Sequence, residues 1–263
     1  MRAVRLHGPG GSKDILLDEV DVPAIAAGEV LVRVHAGALT RDELDWPTDR
    51  LPAIPSYELS GVVEAVAPDV DGFAPGDEVY GMTPFDRDGV AAELAVVPAG
   101  VLAPKPRTLD HVQSAAIPLP ALSAWQGLVE HGGLVAGERV LVTGAAGGVG
   151  HFAVQLVRIR GAELADDGVD LVFDTAGGEA LVRAADALRP GGRLVSVAEE
   201  PPNGGTYYLV ESNRAELDEL SRLADAGELR PAIDSVYPLE EAQAAFARSM
   251  ARGKHGKVVL QVR

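Results

Sequence analysis

The sequence predicts an α/β protein of two parts, a β-rich first domain and a doubly wound parallel α/β domain, and three observations predict it. Between Met1 and about Arg107, short alternating strands are punctuated by Gly and Pro. From Thr108 the apolar residues fall instead at helical spacings. Beyond Arg139, strand-like and helix-like segments take turns, the order that builds a parallel sheet with right-handed crossovers. A chain of 263 residues has room for two modest domains, and 47% hydrophobic residues with 30 glycines and 18 prolines fit a turn-rich folded protein.

The elements follow in order. Glu29 to His35 (EVLVRVH), Gly61 to Ala67 (GVVEAVA) and Ala91 to Val97 (AAELAVV) are the clearest early strands. Between Thr108 and Gly132, residues Val112, Ala115, Ala116, Leu122, Trp125, Leu128 and Val129 mark helices. Arg139 to Thr143 (RVLVT) is a strand, followed by the turn GAAGGVG and a helix from His151 to Arg160. Val169 to Asp174 (VDLVFD) is the next strand, and it ends in Thr175, Ala176, Gly177 and Gly178. After a helix rich in Ala and Leu, the turn Pro190 to Gly192 leads to a third strand, Arg193 to Ala198. A short strand (TYYLV), helices near Arg214 to Ala226 and Leu239 to Met250, and a closing strand from Lys257 to Val262 complete the chain. No internal repeat is present.

The formal net charge of -16 sets up a field that repels nucleic acid and anionic membrane surfaces, so neither is an expected partner. With no cysteine there is no disulfide, no thiolate nucleophile and no Cys-ligated zinc. The amino terminus lacks the apolar stretch of a signal peptide, and no apolar run is long enough to span a bilayer, which makes the cytoplasm the expected location. The six histidines show no metal spacing and are read as structural.

The turn carries Gly144, Gly147, Gly148 and Gly150 between a buried-type strand and an amphipathic helix. A phosphate-binding turn needs a residue free to take positive φ, a bare position where pyrophosphate meets backbone, and a small residue where helix packs on strand. This segment supplies all three, and Gly144, Ala145, Gly147, Gly148 and Val149 are the candidate cofactor contacts. The spacing Gly-x-x-Gly-x-x-Gly departs from the standard NAD fingerprint and favours NADPH over NADH. Asp166 and Asp167 stand near the distance of the fingerprint's ribose-binding acid, but RGAELA is too short for a helix end and a full second strand, so they read as loop residues.

Taken together, VRVHAGALTRDEL, IPSYELSGVVEAV, GDEVYGM, AAIPLPALSAWQGL, VLVTGAAGGVG, VDLVFDTAGGE, LRPGGRLVSVA and GKHGKVVLQV resemble the medium-chain dehydrogenase/reductase superfamily, in its zinc-independent quinone oxidoreductase (zeta-crystallin-like) branch. The resemblance implies a GroES-like β-rich domain over 1–107, rejoined by 236–263, and a Rossmann cofactor domain over 108–235. It also implies an NADPH-dependent oxidoreductase acting on a small-molecule quinone or enone without metal, and a homodimer through the Rossmann edge strand. A low-turnover cofactor-binding or structural protein is the alternative function. Zinc-dependent members carry Cys and Gly-His-Glu where this chain has Leu39 and Ser56-Tyr57-Glu58, and a Leu with a Tyr cannot hold a catalytic zinc. Between Gly161 and Gly168 relatives hold on the order of 40 residues, judged by the size of a βαβ unit, so strands two and three are expected to be absent. Two readings stay open there, a deletion and a stretch missing from the sequence. An intact mass several kDa above 27.4 kDa would favour the second.

The same resemblance nominates side chains. Tyr57, at the lost ligand position, is a candidate for a hydroxyl facing substrate, with a buried structural tyrosine as the alternative. Thr40, Asp42, Asp45 and Trp46 lie in the loop that shapes this family's substrate site, although Asp42 also suits a local helix cap. Ser123 matches a Thr or Ser near the nicotinamide; a helix serine with a local hydrogen bond is the other reading. Ala176 and Gly177 follow a strand at the carboxyl edge where ligands bind in open sheets. Val197 and Ala198 either line the nicotinamide or pack the core. Lys257 and Lys254 approach the cofactor as the chain returns, or are solvated surface lysines.

Overall fold

The alternating segments of the first part become strands because β-branched and aliphatic residues at every second position bury one face of a pleated ribbon. A computed structural model describes residues 1–46, 49–202 and 204–263. In chain order the strands are β1 Arg2–Leu6, β2 Ile15–Glu19, β3 Glu29–Leu39, β4 Glu58–Val66, β5 Glu78–Met82, β6 Leu94–Pro98, β7 Leu102–Pro104, β8 Arg139–Val142, β9 Glu163–Leu164, β10 Val169–Asp174, β11 Leu188–Ser196, β12 Thr206–Tyr207, β13 Ile233–Pro238 and β14 Lys257–Gln261. The helices are α1 His111–Ala115, α2 Pro118–Trp125, α3 Gly150–Ile159, α4 Gly178–Ala185, α5 Arg214–Asp225 and α6 Ala242–Met250, with a π turn at Gln126–His131.

Two compact units result. The first comprises Met1–Leu119, Ser212–Asp225 and Pro231–Arg263, and the second Pro120–Glu211 and Ala226–Arg230. The first is the GroES-like unit. Its main sheet runs β13-β14-β3-β4-β5-β7, with β6 pairing β3 on the side. Val30, Val32, Val34, Leu59, Val79, Val258 and Leu260 fill its core. Helix α1 belongs here because Ala115 and Ala116 close against Ala36, Ala38 and Val259, where small side chains let a helix lie on the strands. Helix α5 also belongs here, with Tyr80 Oη donating to the Leu217 carbonyl at 2.6 Å.

The second unit is the Rossmann-type unit, a parallel sheet in the order β12-β11-β10-β8-β9. Every residue of β10 is buried, as expected for a strand covered on both faces. Strand β11 begins at Leu188, and the turn expected at Pro190 to Gly192 interrupts it: the register with β10 passes from Val169↔Leu188 to Leu171↔Arg193, with Gly191 at φ +81°. Strand two is not wholly absent. Glu163 and Leu164 survive as an exposed two-residue strand beside β8, and Ala165 to Gly168 return the chain directly to β10. Among the described residues no helix is long and apolar enough to cross a membrane.

Candidate functional site

The candidate residues fall into two sets, one in each unit. In the second unit, β8 delivers the chain into the glycine turn at the carboxyl edge of the sheet. Gly144 takes φ +64°, a conformation an L side chain rarely adopts. Gly150 opens α3, and a Cβ there would stand 2.1 Å from the Gly144 carbonyl oxygen, so the helix start lies directly on the turn. Ala145 is exposed, whereas Gly147, Gly148 and Val149 are half-buried. Small side chains, Thr175 and Ala176, stand beside the turn, and backbone amides at a helix start are what a phosphate needs.

Next to it, Asp174 closes the fully buried strand β10 and organises the edge. Its carboxylate accepts from the Thr143 hydroxyl, from Ser196 Oγ at 2.8 Å, and from the amides of Ala176 at 3.3 Å and Gly177 at 3.1 Å. Thr175 Oγ1 donates to the Thr143 carbonyl at 2.7 Å, which ties the end of β10 to the start of the glycine turn. Ser196 Oγ accepts from the amides of Ala198 and Glu199 at 3.1 and 3.2 Å, shaping the end of β11. Ala176 and Ala198 are exposed at this edge, Gly177 is buried at φ +69°, and Val197 is half-buried. Ser123 is buried on α2 with its carbonyl accepting from the Tyr208 hydroxyl, so the structure places it inside the unit. Asp174, Thr143, Thr175 and Ser196 were not singled out in the sequence. Their one signal is an acid ending an apolar strand, which needs partners when buried.

In the first unit, a buried charge cluster stands under the loop after β3. Lys257 Nζ donates to Glu58 Oε1 and, at 3.1 Å, to Thr40 Oγ1. Side-chain exposure is 3% for Lys257 and 0% for Glu58, so Lys257 is neither solvated nor open to a cofactor, contrary to both expectations for it. Glu58 Oε2 accepts from the Leu119 amide at 3.1 Å. Burial pushes the Glu58 carboxyl up, and the Lys257 ammonium opposes this. Thr40, expected to face substrate, spends its hydroxyl between Lys257 and Glu58, and its amide donates to Glu43 Oε2 at 3.1 Å. Lys254 is half-buried, and its ammonium is brought down to about 8 by burial and by Lys257.

Glu43, in a short 3-10 turn, is fully buried, and its Oε1 has no hydrogen-bond partner. Burial lifts its carboxyl to about 8, against the pull of Lys257 and the Thr40 amide. A folded-state value above the unfolded one means the protonated acid stabilises the fold below the unfolded value, and this is lost as pH rises through about 8. Glu43→Gln, a neutral mimic, is therefore expected to gain about 3–4 kcal/mol over the natural protein between about pH 5 and about pH 8. Urea unfolding at the two pH values checks it; a constant difference would refute it.

The aromatic residues form a separate wall. Trp46 lies 4.7 Å from Phe85 and 5.5 Å from Tyr57, centroid to centroid, and Phe85 meets Tyr57 edge-on. Tyr57 has no exposed surface, and its hydroxyl accepts from Arg50 Nη2 at 3.0 Å, so it is a covered side chain rather than one open to substrate. Arg50 also donates to the Phe85 and Arg87 carbonyls, which fixes the wall. Trp46 and Phe85 are half-buried and form its accessible part. Asp42 and Asp45 are exposed, and Asp42 precedes the 3-10 turn without a side-chain cap. His111 bonds Ser60 Oγ at 2.8 Å and stacks on His35, and burial brings its imidazole down to about 4, a structural arrangement.

Residues 26–107 match the family described as "Alcohol dehydrogenase GroES-like domain", and residues 150–260 match "Zinc-binding dehydrogenase". The Arthroderma benhamiae protein named "Probable zinc-binding oxidoreductase, mitochondrial" is 31% identical over 320 residues, covering 99% of this chain and 96% of that protein. This chain belongs to the medium-chain dehydrogenase/reductase family. It is an oxidoreductase of that family, similar also to the chloroplastic NADPH-dependent alkenal/one oxidoreductase of Arabidopsis thaliana, at 31% identity over 95% of this chain and 77% of that one. Among solved structures, the quinone oxidoreductase of Coxiella burnetii superposes with a TM-score of 0.93 at 26% identity, covering 100% of this chain and 99% of that one.

The matched stretch of 320 residues in the fungal relative exceeds this chain's 263, which agrees with the short connection between β9 and β10. Zinc does not suit the residues present. The chain has no cysteine, Leu39 is apolar and buried, the Tyr57 oxygen is held by Arg50, and Glu58 already faces an internal cation. Among the described residues no group of three His, Cys, Asp or Glu side chains is placed to hold a metal ion.

Proposed function

We propose that the chain is a zinc-independent reductase that passes a hydride from a reduced nicotinamide cofactor to a quinone or to the β-carbon of an enone. The carrying observation is the carboxyl edge of the Rossmann-type sheet, where the glycine turn opens a helix beside small residues that the Asp174 network holds in place. The cofactor supplies the hydride; the chain holds its phosphates, orients the ring and limits water. NADPH, the donor in the Arabidopsis relative's name, is the one used in the test. Quinone and alkenal acceptors come from the relatives' names.

The test is oxidation of NADPH by the purified protein against a panel of quinones and enones, with and without a zinc chelator. Turnover with at least one acceptor, unchanged by chelation, is expected. Silence across the panel, or loss of activity on chelation that added zinc restores, would overturn the reading. We also propose a cytoplasmic homodimer joined at β12, the outer strand of its sheet, where Tyr207 is 42% exposed. Light scattering should give twice 27.4 kDa.

A further inference from the structure

We infer that the cofactor site stops short of the adenosine, so that this chain takes NADH and NADPH without discrimination and accepts reduced nicotinamide mononucleotide in their place. The inference rests on the oxidoreductase reading above and changes its cofactor choice. In a doubly wound sheet, the adenosine ribose and any 2′-phosphate are read by side chains at the carboxyl end of the strand beside the first one. Here that strand is β9, and its register is Arg139↔Glu163 and Val140↔Leu164. It accompanies only the first half of β8. The Ala165 amide makes one more bond, to the Val140 carbonyl at 2.9 Å, and the chain then leaves.

Where it goes decides the matter. Strand β10 pairs with the opposite side of β8, with Leu171 level with Val140. Residues 165–168 therefore depart near the level of Leu141 and re-enter at Val169, two residues before Leu171, on the amino-terminal half of the sheet. Gly168, at φ +58°, is tied down there by Arg139 Nη1, which donates to its carbonyl at 3.2 Å. Asp166 and Asp167 belong to this low crossing and not to the carboxyl edge where Gly144 to Gly150 stand.

The charge at that flank points the same way. Reading a 2′-phosphate takes a cation, ordinarily an arginine fork. Arg139 is engaged on Gly168 and Arg189 on the buried Asp170, while Glu163, Asp166 and Asp167 are exposed acids. The remaining contacts for a nucleotide are those of the glycine turn and the Asp174 edge. They meet phosphate and nicotinamide, groups that NADH and NADPH share.

The experiment is calorimetric titration of the full chain, its intact mass first confirmed at 27.4 kDa, with NADH, NADPH and reduced nicotinamide mononucleotide separately. Dissociation constants for the two dinucleotides within about fivefold of each other, and for the mononucleotide within about tenfold of them, are expected. A preference for either dinucleotide beyond about tenfold, or loss of mononucleotide binding while the dinucleotides bind, would overturn the inference and leave the reductase reading intact. Failure of all three to bind would overturn the reductase reading, and this inference with it. The Asp166→Asn/Asp167→Asn double variant is expected to leave the NADH to NADPH ratio unchanged within about twofold. A larger change would show that the two acids do face a ribose, and would also overturn the inference.

Discussion

Lys257→Met is expected to cost about 3–5 kcal/mol of folding stability, the penalty for stranding a buried charge without its partner. The ammonium is the cation that Glu58 faces, it also holds Thr40, and neither Lys257 nor Glu58 touches water appreciably. Removing it leaves a carboxylate at zero exposure with the Leu119 amide and the Thr40 hydroxyl as its remaining hydrogen-bond donors. Because burial already pushes the Glu58 carboxyl up, the variant escapes part of the cost by taking up a proton. The sign follows: a raised folded-state value gives stability that is lost as pH rises, so the variant's deficit is larger at alkaline than at acid pH. Adding Glu58→Gln removes the stranded charge and keeps an acceptor for the Leu119 amide, and should recover most of the loss. Urea unfolding of the two single variants and the double at both pH values closes the cycle. Equal deficits at both pH values, or no rescue in the double, would show that the pair is not the anchor described.

That cluster also shows where the sequence stops being readable. Lys257 and Glu58 are 199 residues apart, and an isolated lysine on a chain of net charge -16 gives no local sign that a strand pairing will bury it. The strands, the glycine turn and the helix after it were legible because their signals are local: period two, period 3.6 and glycine at fixed offsets. The covering of Tyr57 was not legible, because it depends on Arg50 reaching the carbonyls of Phe85 and Arg87 across a loop. Asp174 lay between these cases. It was read as the last residue of a strand, and its role as the acceptor for Thr143, Ser196 and two amides emerged only when β8, β10 and β11 came side by side. The remnant of strand two was hidden for another reason, since two residues are too few to show any period.

Gly150→Ala is expected to weaken binding of a reduced nicotinamide dinucleotide about 30-fold, an effect of about 2 kcal/mol, by displacing the glycine turn. The added methyl would stand 2.1 Å from the Gly144 oxygen, 2.6 Å from its carbonyl carbon and 2.7 Å from the Ala145 Cα. All three atoms are backbone, so no side chain can swing aside, and the turn itself has to move. Gly144 already sits at φ +64° with its carbonyl accepting from the Gly147 amide at 2.8 Å, which leaves the turn little room to yield. Overpacking of this kind also costs stability, about 1–3 kcal/mol, so melting temperature has to be measured beside affinity. Gly100→Ala is the control, because nothing stands within 4 Å of a Cβ at that position in the other unit, and both stability and affinity should hold. If Gly150→Ala stays folded and still binds as the natural protein does, the turn does not hold the phosphates, and the cofactor reading loses the geometry it depends on. If affinity falls while the folded state persists, the contact between Gly150 and Gly144 is what shapes the anion-binding edge, and the bare backbone there is a requirement of binding rather than a by-product of a tight turn.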